Sequence, residues 1–497
     1  MYDIKYNDFS KIYNKKKNQI LSKTLIADLE TPISALLKLS PNQKYTFLLE
    51  SVEGGDQRGR FSLLGFDPDV IWECKKNKVN IYGENKKFIS NLNLRTDPIQ
   101  SLRELLNKSI IKRDKKLPPF PILVGYMGYP MIRYMEKINL KNKDNIKIPD
   151  SIFIRPKIAA VFDNIKDTIT VMKPLYYDKK ISCDKAYKNS IKEIEKIIKK
   201  LISDLPTKTK INLKNKKLNP KSNIKKNDYF KMINKAKKYI EKGDIFQVVT
   251  SQRFTTKYNL PSTYLYRSLR RLNPSPFLVN LNFNGIDLVA SSPEILVRVR
   301  NNKVTIRPIA GTRPRGVNSK EDKILEKDLL NDKKEIAEHL MLLDLGRNDV
   351  GKVSKIGSVK VTEKMNIEYY SHVMHIVSNV QGILEKKYDS IDALISGFPA
   401  GTVSGAPKIR AMEIIEELEP TNRSFYGGAI GYFDSNGQMD TCIALRTALI
   451  KDNKLIVQAG GGIVYDSNPK NEYFETINKA KVILKAAEES YELYDKK

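Results

Sequence analysis

Apolar residues along this chain recur with two periods, and the changes of period outline the fold. Residues 45–52 and 60–66 are dense in Tyr, Phe, Leu and Val and flank a Gly-Gly-Asp turn at 54–56, with Asp67-Pro68 closing the second run. Short apolar runs punctuated this way predict β-strands. Further strands are predicted at 79–82, 122–126 and 158–171, the last interrupted at Asp163-Asn164. The spacing turns helical at 102–108. Ile191, Ile194, Ile197, Ile198 and Leu201 then predict a helix over 187–202. Residues 204–228 are a Lys/Asn/Pro tract with little to bury, which reads as a solvated linker or long surface loop.

A second block begins near Asp228. A helix is predicted over 229–241, stopped by Gly243. Strands are predicted at 244–254, 286–290, 294–299 and 304–308, and residues 322–345 read as mainly helical. A helix over 407–418 has Pro407 in its first turn and Ser404 placed to cap it. Strands at 427–433, 441–450 and 455–460 precede a final helix over 469–493. Strands and helices come in mixed order without βα repeats, which predicts an α+β fold and not a doubly wound sheet. The expected organisation is an N-terminal domain over 20–175, a Lys-rich linker region over 176–227 and a second domain over 228–494.

Composition narrows the partners. The 497 residues carry 87 Lys+Arg against 57 Asp+Glu, a net charge of +30. Such basicity can mark nucleic-acid binding. Here the excess is Lys mixed with Asn and Ile throughout, with no Arg/aromatic stripe and no zinc-finger spacing, so no nucleic-acid partner is expected. No apolar run reaches the ~18–20 residues of a membrane span, and residues 1–20 lack the apolar core of a secretory signal. Three widely spaced cysteines, Cys74, Cys183 and Cys442, support neither a disulfide framework nor a zinc site. A cytoplasmic protein without a membrane partner is expected.

Several constellations could carry chemistry. Glu335 and Glu338 lie three apart on one predicted helix, as do Glu472 and Glu475 on the last. That spacing puts both carboxylates of a pair on one face. Two such helices facing each other would gather oxygen ligands suited to a hard cation such as Mg2+, although solvated helix faces carry such pairs too. The string FPAGTVSGAPK (398–408) runs into a helix start without P-loop spacing, and AGGGI (459–463) follows a strand. Each is either an anion-binding turn or an ordinary tight turn. His375 sits in an apolar strand-like run. It is either a hydrogen-bonded core residue or a proton-transfer group. His339 adjoins Glu338 and either packs or orients it. Arg446 lies within an apolar strand-like run, IALRT (443–447), so an anionic partner is expected for it.

Taken together the strings resemble the anthranilate synthase large-subunit branch of the chorismate-utilising enzymes. The matching pieces are LLES (48–51) through GFDP (65–68), GDIFQVV (243–249), SSPE (291–294), RPIAGTR (307–313), AEH (337–339), LGRND (345–349), FPAGTVSGAPK (398–408), YGGAIGY (426–432), Arg446, AGGGI (459–463) and residues 472–479. The resemblance implies the fold of that family, mixed large sheets with helices outside and an N-terminal block intertwined with the catalytic block. It implies conversion of chorismate and ammonia to anthranilate and pyruvate, with the ammonia delivered by a separate glutamine amidotransferase subunit, component II. By carry-over, Glu338 and Glu475 bind Mg2+, with Glu335 and Glu472 supporting. The ring carboxylate lies at the metal and at Gly460, Gly461 and Gly462. Arg446 and Tyr426 hold the enolpyruvyl carboxylate, and Thr402 and Lys479 line the pocket. Glu294 is the acid for the leaving hydroxyl, and His375 assists pyruvate elimination.

Two positions discriminate between branches. Water-adding relatives carry Lys where this chain has Gln247, and ammonia needs no such base. The 4-amino-4-deoxychorismate synthase branch, the alternative enzyme, usually carries a nucleophilic Lys where this chain has Ala310. The alternative from another class is a basic non-catalytic binding module. Glu50, Ser51, Pro276, Phe277, Leu278 and Tyr432 resemble the family's pocket for the inhibitor L-tryptophan, with Glu50 as carboxylate for the amino group.

Overall fold

The computed structural model describes residues 4–495 apart from 42, 54–56, 91, 93–96, 207–216 and 371–372. The turn read at 54–56 and the middle of the basic tract, 207–216, therefore lie outside the described residues.

Two long strands organise the molecule. Phe61–Lys75 and Ser151–Asp163 pair antiparallel along their length, with a register shift between Pro68 and Val70. At that shift each strand passes from one sheet into another. Residues 63–66 pair with Tyr45–Glu50, which continues through Phe277–Phe283, Asp287–Ser292, Thr447–Lys451 and Lys454–Ile463 to Gln247–Lys257. Residues 151–154 pair with Pro121–Met127, which continues through Ala429–Asp434, Met439–Ile443, Ile295–Arg300 and Lys303–Ile306 to Val373–Ile383. Both sheets thus join N-terminal strands to C-terminal ones, through the 45–50/277–283 pair in one and the 121–127/429–434 pair in the other. This is the intertwined α+β arrangement expected from the sequence.

The main core lies between the sheets, and side-chain alternation builds it. Phe47, Leu49, Leu63, Val279, Leu281 and Leu288 join Val124, Ile154, Val297 and Ile430 there. Their neighbours Leu48, Leu64, Phe66, Leu278 and Val289 point the other way, into a second core under helices. Cys183–Leu201 presents Ile194, Ile197, Ile198 and Leu201 to that second core. Each such fully buried aliphatic stabilises by about 1.5–3 kcal/mol. Ser262–Leu272 and Pro469–Asp495 cover the same face.

Four sequence expectations are corrected. The helix read over 322–345 is two helices, Ser319–Asn331 and Lys333–Gly351. Asp332 breaks it: its backbone is extended and its carboxylate accepts from the Lys334 and Glu335 N–H groups at 3.0 and 3.2 Å. The strand read over 441–450 is interrupted at 444–446, where Arg446 is left-handed with φ +48°. The GGG segment does not follow a strand but continues one, paired opposite residues 249–251. Ser404 caps no helix. Its hydroxyl donates to the Ala400 carbonyl, and Lys408–Leu418 begins after Pro407 without a side-chain cap.

Candidate active site

The three glycines sit in a ladder because their neighbours leave no room for side chains. A Cβ on Gly460 would lie 2.8 Å from the Tyr426 hydroxyl, and one on Gly461 3.1 Å from Glu472 Oε2. On Gly462 it would meet Gln247 Nε2 at 2.2 Å. The glycine strand is thus a floor onto which Tyr426, Gln247 and the last helix close.

Two helices bring the acidic groups to this floor. Lys333–Gly351 carries Glu335 and Glu338; Pro469–Asp495 carries Glu472, Glu475 and Lys479. Burial raises the pKa of Glu338, and Glu335 and Glu475 raise it further. Burial also raises Glu335 and Glu472. Glu472 Oε2 is buried without a hydrogen-bond partner. Lys479 supplies the main counter-charge: its ammonium meets Glu475 Oε1 at 2.6 Å and donates to the Gly460 carbonyl at 3.0 Å. Gln247 Nε2 donates to Glu338 Oε1 at 3.3 Å.

The four carboxylates do not converge as placed. Among the described residues no three His, Cys, Asp or Glu side chains stand close enough together to hold a metal ion. Like charges keep apart, and Glu475 and Glu338 turn to Lys479 and Gln247. The group still suits a hard cation in its chemistry, its donors being all oxygen and their charge countered only by Lys479 and by Arg313, 3.6 Å from Glu335.

A second set faces the carboxylates. Glu294 is only 7 % exposed and accepts from the Thr402 hydroxyl at 3.0 Å. Burial pushes its pKa up to about 8, against the Thr402 bond and the nearby Arg446 charge. It is therefore mostly a neutral acid at pH 7. Arg446 makes no ion pair or side-chain hydrogen bond among the described residues; burial opposes its charge, and the acidic groups acting on it are Tyr426, Glu475 and Glu294. A guanidinium left open in this way calls for an anion.

His375 Nδ1 lies 3.1 Å from the Gly311 carbonyl and 2.9 Å from the Thr312 hydroxyl. A carbonyl only accepts, so Nδ1 carries the hydrogen and Nε2 offers a lone pair. Burial, then the Arg446 and Lys479 charges, press its pKa down to about 4. Gly311 can turn its carbonyl toward the ring because it forms a bulge with φ +79°. His339 does not orient Glu338. Its Nε2 meets the Ser378 hydroxyl at 2.6 Å in the core. The sequence reading quoted Gly311, Thr312 and Arg313 within RPIAGTR (307–313) but gave them no role. Arg313 ties this strand to Asp328 at 2.6 Å and to the helix-capping Asp332 at 2.7 Å. Its only sequence signal was a charge beside the glycine bulge.

The expected regulatory residues lie apart from this set. Glu50, Ser51, Pro276, Phe277, Leu278 and Tyr432 all line one cavity of about 880 Å³ between the sheets. Glu50, expected as the carboxylate for the inhibitor's amino group, already has partners of its own. Glu50 accepts from the Tyr266 hydroxyl at 2.5 Å and from Arg270 at 3.2 Å, on the helix side of its strand. The physical reason is parity: Leu49 faces the cavity core, so Glu50 faces the other way.

Residues 53–485 match the family of chorismate binding enzymes, and the chain belongs to that family. Within it, the chain is 49% identical to anthranilate synthase component 1 of Cereibacter sphaeroides, over 98% of this chain and 97% of that one. It is 45% identical to anthranilate synthase component 1 of Acetivibrio thermocellus, over 98% and 99%. The crystal structure of anthranilate synthase component I from Streptococcus pneumoniae superposes with a TM-score of 0.77 at 37% identity, covering 93% of this chain and 99% of that one. No helix among the described residues is long and apolar enough to cross a membrane.

Proposed function

We propose that this chain is the chorismate-converting component of an anthranilate synthase. The observation that carries the reading is the pairing of a buried, neutral Glu294 with an open Arg446 beside an acidic cluster. Arg446 and the Tyr426 hydroxyl receive the enolpyruvyl carboxylate. Ammonia adds at ring C2 while the Glu294 proton passes to the departing C4 hydroxyl, which leaves as water. The added nitrogen gives up a proton, restoring the carboxyl. In the second stage the C2 proton is removed and the ring C3–O ether bond breaks, its oxygen leaving with the side chain. The ring becomes aromatic, and a proton on the side-chain methylene completes pyruvate. His375 Nε2, a lone pair held by Gly311 and Thr312, is placed to move that proton.

Glu338 and Glu475 are the residues that would hold Mg2+, with Glu335 and Glu472 behind them. A hard dication there supplies positive charge for the ring carboxylate. The unpartnered Glu472 oxygen and the burial that opposes the charges of Glu335, Glu338 and Glu472 support this assignment. Ala310 has no nucleophile, which supports amination at C2 over the aminodeoxychorismate alternative. Chorismate, ammonium and Mg2+ with the purified chain should yield anthranilate fluorescence and pyruvate in equal amounts. 4-Amino-4-deoxychorismate released without pyruvate would refute the reading. In the cell the ammonia is supplied by a glutamine amidotransferase subunit, and the site of action is the cytoplasm.

The cavity between the sheets fits L-tryptophan as a feedback inhibitor. It joins an apolar wall, Pro276 and Phe277, to polar residues from both sheets. Ser51 is packed against Gly59, where a Cβ would lie 1.7 Å from the Ser51 hydroxyl. Gly59 thus closes one side of Ser51, and the cavity that Ser51 lines has room for a larger side chain. Ser51→Phe should raise the tryptophan concentration for half-inhibition by about tenfold or more, the scale of a lost pocket contact, with kcat unchanged. A wild type that tryptophan does not inhibit would rule out the regulatory role.

A further inference from the structure

Glu419 and Arg423 form an ion pair buried beneath the site, with side chains 3 % and 1 % exposed. Arg423 donates to both Glu419 oxygens, at 2.6 and 3.0 Å. Its remaining N–H groups reach the Val403 carbonyl at 2.5 Å and the Val249 carbonyl at 2.6 Å. Its guanidinium lies 5.1 Å from the Tyr129 ring centre and 5.5 Å from that of Tyr426. Glu419 Oε1 also accepts from the Ser251 N–H at 2.8 Å and the Ser251 hydroxyl at 2.7 Å.

These contacts join three walls of the site. Val403 follows Thr402, which holds Glu294. Val249 and Ser251 lie on the strand that carries Gln247 and pairs with the glycine floor. Tyr426 reaches over that floor. A planar five-donor fork can bind a carboxylate and two carbonyls while stacking on rings; an ammonium cannot. A desolvated pair is a poor way to gain stability, because apolar groups of similar volume often do as well. Its value here lies in direction.

We propose that Glu419 and Arg423 act as one positioning unit, which sets Thr402, Tyr426 and the Gln247 strand in register for the reaction. This rests on the roles given above to Thr402 and Tyr426. Neither member of the pair touches substrate.

The test compares wild type, Arg423→Lys and the double variant Glu419→Met/Arg423→Met, as the full chain with chorismate, ammonium and Mg2+. Thermal unfolding and folded fraction are measured beside kcat and KM. The single variant leaves a buried carboxylate poorly matched and should lose stability. The double variant should recover it. Both folded enzymes should lose about 10–100-fold in kcat, the scale of a small misplacement of reacting groups. KM for chorismate should rise severalfold, because Tyr426 loses its setting. Loss of folded protein lowers apparent kcat alone and leaves KM unmoved. A folded double variant with wild-type kcat and KM would overturn the positioning role alone. A wild type that forms no anthranilate would overturn the reaction and the positioning role together.

Discussion

Replacement of Glu294 by Gln should cut kcat/KM by about 10²–10⁴-fold, the range of a lost general acid, with the fold intact. Gln matches the shape and can still accept from Thr402, but it has no carboxyl proton for the leaving hydroxyl. The pH dependence gives a second readout. Wild-type Glu294 is protonated below about 8 and ionises as pH rises through that value. At constant free ammonia the wild-type rate should therefore fall on the alkaline side of about 8. The variant's smaller rate should not show that fall. Stability follows the same sign. The folded-state pKa is raised, so stability associated with neutral Glu294 is full below the ordinary carboxylate range and lost as pH rises through about 8. The variant should keep its unfolding temperature across that window while wild type declines. Equal kcat/KM in the two proteins would remove Glu294 from the mechanism.

Much of the fold was legible because period and burial agree. Residues 45–50 read as an apolar-rich run, and both faces of that strand are buried, one between the sheets and one under helices. The Ile191–Leu201 stripe became a helix facing the second core. What escaped has tertiary causes. The run around Arg446 reads as one nearly continuous apolar strand. Its break is imposed by partners far away in sequence: Gly427 N–H donates to the Ala444 carbonyl at 3.1 Å, Ala444 N–H to the Gly428 carbonyl at 2.7 Å, and Ser291 N–H to the Arg446 carbonyl at 3.1 Å. A left-handed arginine is unfavourable locally, and such strain gathers where a side chain must be aimed. The glycine triplet reads as a loop because strands are poor in glycine. It is a strand because Tyr426, Glu472 and Gln247 occupy the space of the missing side chains.

Two misses did have signals. Asp332 followed by Glu335 has the spacing of a helix start, so the break inside 322–345 could have been read. The parity of Phe47 and Leu49 already placed Glu50 on the opposite face. The charged positions of the site were found more readily than the groups that orient them. A lone buried charge is conspicuous in sequence, whereas a carbonyl such as that of Gly311 has no side-chain signature at all.

Glu338→Gln separates function from stability most sharply. Glu338 is raised by its own burial and by Glu335 and Glu475, so its charge is opposed by the surrounding protein. Gln fills the same space and removes one of the repelling charges. Gln247 can still bond the new side-chain oxygen. The folded chain should therefore unfold at the same temperature as wild type or higher, measured without added cation. Activity should move the other way. A neutral amide is a weak ligand for a hard dication, and the ring carboxylate of chorismate would lose its counter-charge. A fall in kcat/KM of at least about 10²-fold is expected, comparable to deleting one major electrostatic contact in an enzyme site. The stabilisation that added Mg2+ gives wild type should be smaller in the variant, since a ligand that binds the folded state more weakly stabilises it less. Such an opposition, more stable and less active, marks a residue kept for chemistry at a cost to the fold. A variant that is both less stable and fully active would place Glu338 in the scaffold instead.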